Sequence, residues 1–117
     1  MIFSIHDRKM MARALVMAAK GRFTAAPNPA VGCVITDNEN IVGEGYTRPA
    51  GGNHAEIEAL QMVNVPAGCC VYVTLEPCSH QGRTASCATA LINAGVARVV
   101  IACEDPNPQV CGQGIQL

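Results

Sequence analysis

Two continuous apolar runs in the second half of the sequence constrain the fold most. Residues 70–75 and 97–102 are short and rich in β-branched side chains, as buried strands are, and one helical segment separates them. Strands joined through a helix lie parallel with a right-handed crossover. Two earlier runs, 31–36 and 41–46, are linked by the polar turn 37–40 and predict an antiparallel hairpin. The predicted sheet is therefore mixed.

Two helices are predicted in the first half of the chain. Ser4 and Asp7 have the spacing of a capping box, and apolar residues recur at helical spacing from there to Gly21. Asn53 follows a glycine loop and is expected to cap a second helix, which would begin at His54.

A third helix completes the order α-β-β-α-β-α-β. Thr84 is expected to cap it, and Gly95 to end it. This order predicts the α/β class: a three-layer α/β/α arrangement in which helices cover both faces of a mixed sheet. The 117 residues fit one domain, 1–117, and because a further helix is only starting at Gly114 we expect the domain to be truncated at its C-terminus.

Composition narrows the class of partner. Eight basic and nine acidic residues are spread along the chain, and there are only two Phe, two Tyr and no Trp. Such a chain predicts a small-molecule ligand, with no nucleic-acid and no membrane partner. No signal peptide or membrane span is recognisable, and seven cysteines are an odd number, so we expect a cytoplasmic protein with reduced thiols.

The sequence offers one plausible set of zinc ligands. A catalytic zinc takes about three protein ligands and leaves a position open for water. His54 opens the second helix, and Cys78 and Cys87 flank the start of the third, as H-A-E followed by P-C-x8-C. Helix N-termini favour thiolates and developing negative charge. We therefore predict Zn²⁺ held by His54, Cys78 and Cys87.

Glu56 is the predicted catalytic acid and base. In the first turn of a helix its carboxylate would reach the open side of the metal, where it would take a proton from water and pass it to a leaving amine. H-x-E followed by P-C-x2-C is a signature of zinc nucleobase deaminases, although here eight residues separate the cysteines.

Each of these residues alone has a plainer interpretation. His54 fits a surface or capping histidine, Glu56 fits the third residue of a capping box with Asn53, and either cysteine fits a small buried side chain. Their joint order favours the metal site. The other cysteines are expected to be structural thiols, and His6 a surface residue.

Longer matching stretches carry a family resemblance. They are A-P-N-P-A-V-G at 26–32, H-A-E at 54–56, T-L-E-P-C-S-H-Q-G-R-T at 74–84, Cys87 and D-P-N-P-Q-V at 105–110. In these stretches the chain resembles the deaminase domain of the bacterial bifunctional riboflavin-biosynthesis deaminase/reductases. The resemblance implies the cytidine-deaminase-like fold. It also implies zinc-dependent hydrolytic removal of the 2-amino group from 2,5-diamino-6-(5-phosphoribosylamino)pyrimidin-4-one.

The same resemblance implies four substrate contacts: Asn28, Arg83, Asp105 and Asn107. An arginine beside the metal loop suits a phosphate or carbonyl oxygen, although by residue type alone it also fits a solvated charge. Asn28 and Asn107 fit turn formers beside prolines equally well. The family often has Pro-Pro before the second cysteine, where this chain has Ala85 and Ser86.

Two rival functions stay open at this point. One is a zinc deaminase of another nucleoside or nucleobase. The other is a non-catalytic structural zinc module, in which His80 or Cys103 would be the fourth protein ligand. A homo-oligomer is compatible with the sequence, which does not determine the oligomeric state.

Overall fold

A computed structural model describes residues 3–49, 51–75 and 87–102. These residues form helices and strands in the predicted order: α1 (Ile5–Lys20), β1 (Gly32–Asp37), β2 (Asn40–Tyr46), α2 (Ala55–Gln61), β3 (Cys70–Val73), α3 (Cys87–Ala94) and β4 (Arg98–Ile101). In this part of the chain no helix is long and apolar enough to cross a bilayer.

The four strands form one mixed sheet in the order β2-β1-β3-β4. The β1–β2 hairpin is antiparallel and β3 and β4 are parallel, so both predicted pairings are confirmed. The hairpin turns at Asn38, which has a φ of 55°, a conformation that asparagine tolerates better than most residues. The sequence did not predict that β1 and β3 are antiparallel neighbours, with Cys33 opposite Val73.

Helices cover both faces of this sheet, as predicted. Strand side chains alternate between the faces. Cys33 and Ile35 therefore join the core under α2 and α3, whereas Val34 and Tyr72 join the core under α1. The central strand β1 is buried along five of its six residues, because it is covered on both faces.

Hydrogen bonds connect the start of α1 to strands β3 and β4. The predicted capping box is present: Asp7 donates its amide to Ser4 Oγ, and the Asp7 carboxylate accepts from the Ser4 amide. The same carboxylate accepts from Tyr72 Oη at 2.7 Å and from both Arg98 terminal nitrogens, at 2.8 and 3.0 Å. This network joins α1 to β3 and β4.

Two local predictions are wrong. The N-cap of α2 is His54, not Asn53, because the Asn53 carbonyl accepts the Arg48 amide at 3.2 Å inside the preceding loop. His6 is half-buried rather than on the surface, since its ring packs edge-on against Tyr72 with the centroids 6.3 Å apart. The predicted cap of α3, Thr84, lies outside the described residues, and Gly95 ends that helix with a φ of 77°, as expected for the residue after a C-cap.

Candidate metal centre and active site

The loop before β1 and the first turns of α2 and α3 meet at one edge of the sheet. Strand β1 starts there, and its antiparallel neighbours β2 and β3 end there, because Cys33 pairs with both Gly45 and Val73. Helix α2 is the next helix after β2, and α3 is the next after β3. The topology thus brings the first turns of α2 and α3 to the same edge as the loop before β1.

His54 and Cys87 lie in contact at this edge. The distance from His54 Nδ1 to Cys87 Sγ is 3.3 Å, although the two residues are 33 positions apart in the sequence. His54 makes no side-chain bond that caps α2, so the capping alternative for its imidazole is wrong. Two donors of one tetrahedral zinc lie about 3.5 Å apart at the usual Zn–N and Zn–S bond lengths, so this pair fits a zinc ion.

Cys78, the third predicted ligand, lies outside the described residues, as do His80 and Cys103. Within the described ranges, no group of three or more His, Cys, Asp or Glu side chains could hold a metal ion. The complete ligand set therefore stays a prediction, in which the segment between β3 and α3 supplies the third donor.

Glu56 is buried in the first turn of α2, with 4% of its surface exposed. Because the N-cap is His54, Glu56 is the second residue of the helix rather than the third. The capping-box alternative with Asn53 is therefore wrong, and the burial of this carboxylate has to be explained by another role.

Cys33 is a fully buried thiol in the core near Glu56. Burial raises the pKa of the Cys33 thiol well above its usual range, and the nearby charge of Glu56 raises it further. Cys33 therefore stays a neutral thiol in the core, as predicted. Cys69 is also a buried thiol, and its Sγ donates to the Val65 carbonyl at 3.6 Å.

Two glycines of β2 determine how closely α2 packs against the sheet. A Cβ atom on Gly45 would lie 2.4 Å from the Ala55 carbonyl oxygen, and one on Gly43 would lie 2.5 Å from the Ala59 carbonyl oxygen. Helix and strand are in direct backbone contact at both positions. Only glycine permits this close approach. It fixes the distance between the sheet and the turn that carries His54 and Glu56.

One of the four predicted substrate contacts, Asn28, lies within the described residues. Asn28 is exposed in the loop before β1, at the same sheet edge as His54, and its amide donates to the Ala25 carbonyl at 2.9 Å. Arg83, Asp105 and Asn107 lie outside the described residues, so their roles stay predictions.

Two threonines at this edge were not predicted from the sequence. Thr47 follows β2 and Thr74 follows β3, and both are buried. The Val31 amide donates to Thr47 Oγ1 at 2.9 Å, and the Gly32 amide donates to Thr74 Oγ1 at 3.1 Å. A polar β-branched residue directly after an apolar strand was the available signal.

Comparison with known proteins agrees with this geometry. Residues 4–103 match the family model described as the cytidine and deoxycytidylate deaminase zinc-binding region. The chain is 59% identical to the riboflavin biosynthesis protein RibD of Escherichia coli over 112 residues, which are 95% of this chain and 30% of that protein. It is 54% identical to the diaminohydroxyphosphoribosylamino-pyrimidine deaminase of Buchnera aphidicola from Acyrthosiphon pisum, covering 95% of this chain and 76% of that enzyme.

Solved structures show the same fold. Acinetobacter baumannii RibD superposes with a TM-score of 0.91 at 47% identity, covering 95% of this chain and 32% of that one. The Rib2 deaminase of Aspergillus oryzae in complex with DARIPP superposes with a TM-score of 0.73 at 20% identity, a likeness of fold alone. The chain spans about a third of the length of the RibD proteins that it matches.

Proposed function

Because this chain belongs to the zinc-binding cytidine and deoxycytidylate deaminase family, in the branch of the riboflavin-biosynthesis deaminases, we propose that it deaminates 2,5-diamino-6-(5-phosphoribosylamino)pyrimidin-4-one. Water would replace the 2-amino group: a C–O bond forms, the C–N bond breaks, and ammonia leaves a uracil-type product. The observation that carries this proposal is the 3.3 Å contact between His54 and Cys87, with a buried Glu56 in the same helical turn as His54.

His54, Cys78 and Cys87 are the residues that would hold the zinc ion. When bound, zinc lowers the pKa of a water molecule to near neutrality and so supplies a nucleophile for hydrolysis. The His54 imidazole and the Cys87 sulfur already face each other, and Pro77 and Cys78 follow β3, which ends at the same edge. We place the third donor there.

Glu56 would carry the protons. A carboxylate accepts a proton from the attacking water and returns it to the departing amine, and so balances both halves of the reaction. The backbone contact between α2 and β2 fixes the distance of the Glu56 turn from the sheet, and the nearby Cys33 is fully buried. A buried carboxylate in the same turn as a proposed metal ligand favours a catalytic centre over a purely structural one.

Asn28, Arg83, Asp105 and Asn107 would bind the substrate. Arg83 stands between the two predicted cysteine ligands in sequence, where deaminases with two-residue spacing have no equivalent side chain. Its guanidinium would pair with a phosphate or carbonyl oxygen, a charge-assisted hydrogen bond that contributes about 1.5–3 kcal/mol.

A substrate panel tests the proposal. The protein with its zinc should release ammonia from the phosphorylated diaminopyrimidine and be nearly inactive on cytidine and adenosine. Arg83→Ala should lower kcat/KM by about ten- to a hundredfold at unchanged zinc content. If cytidine is the better substrate, or if Arg83→Ala has no effect, the assignment of this substrate is wrong.

The remaining expectations are part of this proposal. Residues 1–117 would form one deaminase domain, and its ligand would be a small phosphoribosyl-pyrimidine rather than a nucleic acid or a membrane. A cytoplasmic location stays a prediction from the sequence.

A further inference from the structure

We infer that Thr47 is a positioning residue, which holds the substrate loop of residues 21–31 against the segment that leads to the metal ligand His54. The inference rests on the proposed function, because it acts through Asn28, one of the proposed substrate contacts. We call residues 21–31 the Asn28 loop.

Both ends of the Asn28 loop lie against Thr47. At the C-terminal end, the Val31 amide donates to Thr47 Oγ1 at 2.9 Å, and the Thr47 amide donates to the Val31 carbonyl at 3.0 Å. At the N-terminal end, Gly21 packs so closely that a Cβ atom there would lie 2.8 Å from the Thr47 carbonyl oxygen. A single buried residue therefore contacts the start and the end of the loop.

Within the described residues, one buried side chain anchors the loop between its two ends: Ala25, which is 1% exposed. Pro27 and Pro29 have no amide hydrogen, and the Asn28 amide reaches back only to Ala25. Residues 26–30 are exposed. The position of the Asn28 side chain therefore depends on the buried Ala25 and on where the two ends of the loop are held.

Thr47 also begins the segment that leads to the proposed metal site. It is seven positions before His54, and the Arg48 amide closes this segment by donating to the Asn53 carbonyl at 3.2 Å. The hydroxyl of Thr47 thus joins the proposed substrate loop to the start of the segment that leads to the proposed metal ligand. Thr74 makes a similar pair of bonds to Gly32, at 3.1 Å through Oγ1 and at 3.0 Å through its amide, and supports β1 from the other side.

An isosteric variant tests the role of the Thr47 hydroxyl. Thr47→Val keeps shape and burial but leaves the Val31 amide without its acceptor. We expect KM for the phosphorylated diaminopyrimidine to rise about tenfold, the scale of one lost buried hydrogen bond, with kcat and zinc content nearly unchanged. Thr47→Ser should restore KM, since it keeps the oxygen.

Thr36→Val is the matched control. Thr36 is equally buried at the far end of β1, and its hydroxyl has no hydrogen-bond partner among the described residues. We expect it to leave KM unchanged. An equal rise in KM for Thr36→Val would overturn the inference, because it would show a general effect of altering a buried threonine.

A double-mutant cycle tests whether Thr47 affects KM through Asn28. If Thr47 acts through Asn28, Thr47→Val has no further effect on KM in an Asn28→Ala background; independent, multiplicative effects would overturn the inference. The Asn28 side-chain amide resonances should also shift in Thr47→Val and not in Thr36→Val, and unmoved resonances would overturn it. A wild-type protein that releases no ammonia from this substrate would instead refute the proposed function, and the resonance shifts would still test the position of the loop.

Discussion

Replacing Gly45 by alanine should separate the placement of the active site from the stability of the fold. The new Cβ atom would lie 2.4 Å from the Ala55 carbonyl oxygen and 2.7 Å from the Ala59 amide nitrogen, whereas ordinary van der Waals contact begins at 3.4 Å. The first turn of α2 must therefore retreat by about 1 Å from β2, because both opposing atoms are backbone and no side chain can rotate away.

This displacement carries functional groups with it, since His54 and Glu56 belong to the same turn. A misplacement of about 1 Å costs on the order of a hundredfold in rate, and overpacking costs about 1–3 kcal/mol in stability. We expect Gly45→Ala to show both losses. The assays are chemical denaturation for the free energy of unfolding, and ammonia release at a temperature where the variant is folded.

Gly43→Ala is the control for overpacking alone. Its Cβ atom would lie 2.5 Å from the Ala59 carbonyl oxygen and 2.8 Å from Val63 Cγ2, at the other end of the same short helix. It should lose similar stability but keep much more of its activity. Equal loss of activity in the two variants, or full activity in Gly45→Ala despite lower stability, would refute the argument that β2 sets the height of the catalytic turn.

Two further predictions concern the metal and the anchor of α1. His54→Ala and Cys87→Ser should each lose the bound zinc, measured by metal analysis, because a site with three protein ligands tolerates the loss of a donor poorly; full retention in both would mean that the ligand set is wrong. Arg98 above all, and then Tyr72, hold the pKa of Asp7 well below its usual range. The stabilisation from this lowered pKa is complete above the ordinary carboxyl pKa of about 4 and is lost as the pH falls through the lower folded value. Asp7→Asn should therefore flatten the acid decline of the free energy of unfolding below about pH 4, and an unchanged decline would contradict this network.

The order of helices and strands could be predicted from sequence because each element has a clear local signal. The capping box of α1 and the apolar run of β1 depend on neighbouring residues only. The N-cap of α2 could not be predicted in the same way. Asn53 is the better capping residue by type, but a loop contact with Arg48 engages its carbonyl, and that contact exists only in the folded chain.

The candidate site likewise contains one contact that the sequence predicts and others that it does not. The contact of His54 with Cys87 follows from the sequence order of the donors, because known zinc chemistry links them. The role of Thr47 depends instead on the register that places it beside Val31, and the importance of Gly45 depends on the crossing of α2 over β2. Neither long-range contact has a signature in the local sequence.

Turnover by Glu56→Gln at matched zinc content tests directly whether Glu56 is the catalytic acid and base. The substitution keeps the size of the buried side chain but removes its capacity to accept a proton. We expect an intact fold, the same zinc per chain as the wild type, and ammonia release from the phosphorylated diaminopyrimidine lowered by at least about a hundredfold. Turnover close to that of the wild type, with zinc retained, would contradict the assignment of Glu56 as the catalytic acid and base.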